Sequence, residues 1–294
     1  MVCTGRLAHR LSLACLILLG IILLRSPAPC FAQLVSSGPD TSWAAGGNNG
    51  EVGQGQGSPT AHLLTDVPAY IWYNGCGPTS LGMMIGYWDA HGYDNLIPGG
   101  NNWATNQTTI QNVIASPGSV RDYSPTPDRA ATVADPYHTD DSLADFTGCS
   151  RDPLAFGSSY LGMQPTALAN YMSYRGYSGA TSAFTSYGSV WVVLKMMIDA
   201  GRPVQLMVDS NADGTVDHFV TGIGYDYANG VEQFACYNTW DYNIHWYNLA
   251  PVGVGVPFGA YAVTYLTPPP VPEPTLLMPL ALLVGLWRRK QQEL

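Results

Sequence analysis

Positive charge is scarce in this sequence. Of 294 residues only 12 are Lys or Arg, against 21 Asp or Glu. Three of the cations (Arg6, Arg10, Arg25) lie near the start and three (Arg288, Arg289, Lys290) near the end, which leaves six in between. Residues 33–270 keep nineteen of the acids, so this body carries a net charge of −13. Such a surface repels phosphate backbones and excludes nucleic acid as a natural partner. Long apolar runs are missing as well. Leu11–Leu24 and Thr275–Trp287 hold fourteen and thirteen residues, short of the roughly 20 that a spanning helix takes. No internal repeat of solenoid period is visible. Cysteine is sparse too: of six, three (Cys3, Cys15, Cys30) fall in the first thirty residues.

What the ends do contain reads as handling information. Arg6 and Arg10 precede the apolar run, and small residues at Cys30 and Ala32 follow it. A positive region, an apolar core and a small-residue site read as a signal peptide, residues 1–32, cut after Ala32 by signal peptidase. Export then leaves Cys76, Cys149 and Cys236, an odd number. Cys149–Cys236 is an optional disulfide, with Cys76 left as a single thiol. Residues 33–60 are rich in Gly, Ser, Asn and Gln and read as a flexible linker. The globular domain is expected over 61–266, a size that allows one full core. Beyond it, Pro268-Pro269-Pro270-Val271-Pro272-Glu273-Pro274 forms a stiff extended connector into the apolar run and basic cluster.

Within the domain, Leu81, Met84, Ile85 and Trp88 recur at helical spacing, so a buried helix begins just after Cys76 and stops at Gly92. Residues 94–160 are punctuated by Pro and Gly and read as a long loop insert with at most short helices, one of them at 141–146. A long loop in a compact domain is often functional, and this one is a candidate groove lining. A short helix is expected at 166–174 and a clearer one at 190–200, capped by Ser189 and closed by Gly201. Strand-like runs follow at 204–208, 218–225, 233–238 and 261–266. A helix carrying cysteine first and a sheet afterwards gives the fold class α+β.

Asn74-Gly75-Cys76-Gly77-Pro78-Thr79-Ser80 is the chemically loaded stretch. Pro78 suits a first helical turn, where a missing N–H costs nothing. The Cys76 sulfur thus stands at the positive end of a helix, which favours the thiolate. A base is needed beside it. His9 is in the leader, His62 in the linker margin, His91 after the first helix and His138 in the broken loop, which leaves His218 and His245. His218 opens an alternating strand whose Val220, Gly222 and Gly224 share its face, so another element can approach closely there. That strand and the next form a hairpin. A loop centred on Ala228 sets His218 beside Asn238; a tight Asn229-Gly230 turn sets it opposite Asp241. Either side chain would orient an imidazole, and Asp would also stabilise the imidazolium.

Cys76-Gly77-Pro78-Thr79-Ser80 with Met84 and Tyr87, then Ala200-Gly201-Arg202-Pro203-Val204, then Asp217-His218-Phe219-Val220-Thr221-Gly222-Ile223-Gly224-Tyr225, resemble the C39-like branch of papain-fold cysteine peptidases. Asn238-Thr239-Trp240 is similar to the Asn-Ser-Trp of papain relatives. The resemblance implies a papain-like fold, an N-terminal catalytic helix followed by an antiparallel sheet. It implies Cys76 as nucleophile, His218 as base, Asn238 as orienter and a peptide or protein substrate. The Cys76-to-His218 gap of 142 residues lies within the roughly 130–150 of papain-type enzymes. One departure stands out. Such peptidases usually carry Gln six positions before the cysteine to bind the oxyanion, and here that position is Tyr70. The Cys76 backbone N–H remains, with Tyr70, Tyr73 or Asn74 as second donor. The C-terminal segment 267–294 resembles a PEP-CTERM sorting signal with a short transmembrane segment. That resemblance implies a transient membrane anchor, removal by an exosortase-type enzyme, and delivery to the bacterial surface or matrix.

Asp209, Asn211, Asp213, Thr215 (by its carbonyl) and Asp217 fit positions of an EF-hand-type loop just before His218. Calcium is therefore a candidate structural ion, the alternative being an Asp/Asn/Gly-rich hairpin turn whose acids face solvent; position 12 is Val220 and strands flank the loop. No cofactor is required for the chemistry. The competing reading is an inactive papain-fold surface or matrix protein that binds through its aromatic, Asn-rich loops.

Overall fold

The computed structural model describes residues 34–35, 51–52, 58–99, 107–123, 138–151 and 154–271. The leader and the apolar, basic end of the tail lie outside the described residues. In chain order the elements are β1 (Leu34–Val35), β2 (His62–Leu63), α1 (Cys76–Ala90), α2 (Gln107–Ile114), α3 (Pro117–Tyr123), α4 (Leu143–Thr147), β3 (Ser159–Tyr160) and α5 (Met163–Tyr174). Then follow β4 (Thr181–Ser186), α6 (Val190–Asp199), β5 (Val204–Asp209), β6 (His218–Ala228), β7 (Val231–Tyr237), β8 (His245–Asn248) and β9 (Gly259–Thr267). The architecture is α+β, with the cysteine helix preceding an antiparallel sheet.

Seven strands make that sheet, in the order β4-β9-β5-β6-β7-β8 with β2 on the far end of β6. Its two faces bury different helices. Gln205, Met207, Phe219 and Thr221 face α1, whereas Val204, Leu206, Val208 and Val220 pack with α6 through Val190, Leu194, Met197 and Ile198. Alternate residues of each strand thus serve opposite layers, as the pleat requires.

All of α1 but its last residue is buried. Leu81, Met84 and Ile85 are wholly enclosed, each contributing roughly 1.5–3 kcal/mol of apolar burial. Gly82 and Gly86 share one face, and a Cβ on Gly82 would meet Ile114 at 2.8 Å. The helix ends at Ala90, and Gly92 follows in the left-handed region at φ 94°.

Three details add to the expectations. Among its described residues the 94–160 stretch holds only short helices, α2, α3 and α4, of 8, 7 and 5 residues, and Pro117 starts α3 rather than breaking it, which its fixed φ allows at a first helical position. Ser189 precedes α6 without a side-chain cap bond. The 33–60 stretch is pinned at two points, with Leu34 and Val35 paired to β3, and Glu51 and Val52 docked along β8 (Val52 N–H to the Trp246 carbonyl, 2.8 Å). Among the described residues no helix is long and apolar enough to cross a membrane.

Candidate active site

α1 opens with Cys76 itself, directly after Gly75 at φ 154°. Its first-turn N–H groups have no partner inside the helix, and Cys76 stands among them. Beneath that turn lies a buried polar layer. The Gln205 amide donates to the Gly77 carbonyl at 3.1 Å and to Ser80 Oγ at 2.6 Å, and Gln164 donates to Ser159 Oγ at 3.0 Å. Thr79 Oγ donates to the Gly75 carbonyl at 2.6 Å and accepts from the Tyr73 N–H at 3.0 Å. The loop that carries Cys76 is therefore fastened from below and behind.

Cys76 is buried in an apolar cluster with Leu161, Met207, Val216 and Phe219, against which Trp72 packs. Val216 and Phe219, which flank Asp217 and His218 in sequence, reach that cluster, whereas His218 itself pairs with Val208, on the face that packs with α6. A second tie joins the two segments: the Trp72 N–H donates to the Thr239 carbonyl at 2.6 Å.

The β6–β7 hairpin settles where His218 looks. Asn229 and Gly230 take φ 55° and 82°, the two-residue turn that follows the strand twist. Tyr227 pairs with Glu232 and Gly224 with Ala235, but Gly222 pairs with Cys236 and Thr221 with Tyr237, because Ile223 is bulged out. That slip of one residue sets His218 against neither predicted partner. It stacks on Trp240, ring centroids 4.4 Å apart and planes 18° from parallel. The bulge also turns Gly224 to the face opposite His218.

His218 is wholly buried. Its Nε2 lies 2.7 Å from the Asn238 carbonyl oxygen. A carbonyl only accepts, so Nε2 carries the proton and Nδ1 presents its lone pair. Nδ1 is buried with no hydrogen-bond partner. Burial lowers the ring's pKa from 6.5 to about 4, with the Asn238 bond pulling weakly the other way. The closed site therefore holds a neutral imidazole whose basic nitrogen is unclaimed. Asn238 does orient the ring, but through its main chain; its Oδ1 accepts instead from the Trp240 N–H at 2.9 Å. Asp241 is not the orienter. Its carboxylate accepts from Asn243 N–H at 2.6 Å and lies 3.0 Å from His245 Nε2.

The model of the Peptidase_C39 like family matches residues 64–252, which include Cys76, His218 and Asn238. The chain belongs to that family. Among solved structures, one from a study of antibody cross-reactivity between the mite allergens Blo t 1 and Der p 1 is similar over 31% of this chain and 35% of that one, at 21% identity and TM-score 0.22. The chain thus spans about a third of the length of that neighbour. Among curated proteins none matches.

In this C39-like domain the candidate oxyanion donors separate clearly. Tyr70 packs its ring on Gly82 and its hydroxyl on Gly86, ten residues and about 15 Å down the helix from Cys76. It is a core residue, its pKa raised by burial and then by Asp89, and it is withdrawn from the site. Tyr73 packs against the α1 core and the Cys149 cluster. Asn74 remains. It is 5% exposed, holds the left-handed conformation at φ 59°, and its Nδ2 is buried without a partner. Trp72 and Trp240 add two more buried indole N–H groups without partners. Buried donors without partners, and an imidazole nitrogen without one, are what a bound ligand could satisfy.

The expected disulfide is absent. None of Cys76, Cys149 and Cys236 is in a disulfide. Cys149 donates to the Asn74 carbonyl at 3.1 Å, on the α1 side, whereas Cys236 is enclosed among the residues packed with α6.

The 209–217 loop folds on itself. Asp209 Oδ2 accepts from Gly214 N–H at 2.7 Å, Asp213 Oδ1 from Thr215 N–H at 2.7 Å, Asn211 Oδ1 from Asp213 N–H at 3.0 Å and Asp217 Oδ1 from Ser210 N–H at 2.7 Å. Its three carboxylates do not converge as a ligand set. The one His/Asp group among the described residues that does so is His138, Asp141 and Asp145. There Asp145 is already the capping-box residue of α4 and accepts from Ser142 and His138.

Proposed function

We propose that this chain is an exported amide hydrolase acting on peptide or protein substrates, with Cys76 as nucleophile and His218 as base. The observation that carries the reading is the His218 ring. One nitrogen is committed to the Asn238 carbonyl, and the other is a buried lone pair with no partner. Nδ1 takes the Cys76 thiol proton as Sγ bonds the amide carbonyl carbon. The Cys76 N–H and Asn74 Nδ2 receive the oxyanion. Collapse breaks the C–N bond, and the Nδ1 proton goes to the leaving amine. Water, deprotonated by Nδ1, then cleaves the thioester. The Asn238 carbonyl accepts throughout from Nε2–H and stabilises the imidazolium, a role more often given to a side chain.

Export by the leader, processing of the 267–294 tail by an exosortase-type enzyme, and residence on the cell surface or matrix complete the proposal. Resemblance of the two terminal segments to sorting signals supports it. A second reading, an inactive binding domain, draws on one observation: Cys76 and His218 are 1% and 0% exposed.

The test is alkylation of Cys76 by iodoacetamide at mildly acidic pH, followed by peptide mapping. Cys76 is expected to react faster than Cys149 and Cys236, and to lose that advantage in His218→Ala. Equal labelling of the three thiols, or labelling indifferent to His218→Ala, refutes the proposal.

A further inference from the structure

His218 takes its orientation from one short turn. Asn238 supplies the carbonyl that holds Nε2, and Trp240 supplies the ring beneath it. Between them Thr239 sits at φ 69°. A β-branched residue in the left-handed region is strained by roughly 1–3 kcal/mol and persists only when its surroundings over-determine it. The turn is held from three sides. Trp72 N–H donates to the Thr239 carbonyl, the Asn238 side chain ties the Trp240 N–H, and Asp241 is held by His245.

The third hold differs in kind. His245 Nε2 lies 3.0 Å from Asp241 Oδ1, and Nδ1 lies 3.2 Å from Glu51 Oε2. Carboxylates only accept, so both bonds form only on the doubly protonated ring. Its side chain is 13% exposed and stacks on Tyr247. Glu51 arrives from outside the domain core, on the segment that pairs with Tyr247 of β8.

We propose that Glu51 and His245 are positioning residues for His218. A charged His245, bridging Glu51 to Asp241, holds the 238–241 turn in the shape that presents the Asn238 carbonyl and the Trp240 ring to the base. The orientation of the imidazole then depends on a residue 167 positions before it in the chain. This inference rests on His218 acting as the base of Cys76.

The experiment uses the full chain and iodoacetamide alone, with rates of Cys76 alkylation measured across pH for wild type, His245→Gln, Glu51→Ala and His218→Ala. Glu51→Ala and His245→Gln are expected to slow alkylation at mildly acidic pH by about tenfold, the penalty of a small misplacement of a reacting group, and to shift the profile toward that of His218→Ala. Their far-UV circular dichroism stays that of wild type. Glu51 is partly exposed, so Glu51→Ala decides the matter should His245→Gln fold poorly. Profiles of both variants superimposed on wild type, while His218→Ala differs, overturn the positioning role alone. A His218→Ala profile identical to wild type removes the base itself and this inference with it.

Discussion

Replacing Asn74 with glycine separates catalysis from folding in a way that few substitutions would. In the folded chain Asn74 Nδ2 is buried without a partner, which costs roughly 1–3 kcal/mol relative to leaving it in water. Its backbone is held at φ 59°, a conformation that costs an L-residue about 1–2 kcal/mol and glycine almost nothing. Against these gains, glycine loses roughly 0.4–1 kcal/mol through the greater freedom of the unfolded chain. The balance is roughly 1–4 kcal/mol stabilising, and each kcal/mol raises the melting temperature by roughly 2–4 °C in a domain of this size. The same substitution removes the side-chain amide proposed above for the oxyanion, an expected loss of roughly 100- to 1,000-fold in kcat. Hydrolysis of a fluorogenic peptide pool gives the rate and calorimetry gives the melting temperature. Alkylation by iodoacetamide, which builds no oxyanion, is the control and is expected to be unchanged. An Asn74→Gly protein that hydrolyses within about threefold of wild type, far inside the penalty for a lost donor, refutes the assignment. So does one that loses alkylation along with hydrolysis.

Tyr70→Phe is expected to raise the melting temperature by a few degrees, since the lost hydroxyl is buried without a partner, and to leave kcat unchanged; a fall in kcat would return Tyr70 to the oxyanion site. Acid titration should expose His218: its folded pKa, about 4 against 6.5, is depressed, so stability is full above 6.5 and declines as pH falls toward 4. The loss amounts to about 3 kcal/mol and should vanish in His218→Gln, as read by urea melts. Asp217 has the opposite sign. Burial raises its pKa from 3.8 to about 6, so the fold favours the protonated carboxyl and loses stability as pH rises through that window. After discounting for solvent screening the effect is about 1 kcal/mol, and Asp217→Asn should abolish it. Lastly, a chain lacking residues 1–32 should titrate as three thiols in denaturant without reduction, and dithiothreitol should leave its melting temperature unchanged; two fewer thiols would restore the Cys149–Cys236 bridge.

Helix α1 was legible because four apolar residues at helical period follow a proline tolerated in a first turn, and because Gly92 follows its end. The strands from Val204 onward were legible for a like reason, runs of β-branched and aromatic residues between turns. β4 and β8 were not: Thr181–Ser186 is half-buried and mostly polar, and His245–Asn248 spans four residues without alternation. The register of His218 was beyond reading, since period-2 logic assumes an unbroken ladder and the bulge at Ile223 leaves no signature in composition. Cys76 and His218 were candidates from motif and spacing, and the structure buries both. The main-chain grip of Asn238 was missed because a carbonyl has no residue identity. Glu51 and His245 were missed for a third reason: they are 194 residues apart and meet only through the fold.

β8 is the last strand of its sheet, and a terminal strand exposes unpaired N–H and C=O groups to any passing chain. Glu51 and Val52 lie along that rim and use part of its bonding capacity. A preparation trimmed to begin at residue 58 would bare the rim and leave a row of vacant backbone bonds. Such molecules should join rim to rim, so the segment before the domain also guards against self-association. Light scattering on the trimmed and untrimmed forms, at matched concentration, would record the difference directly.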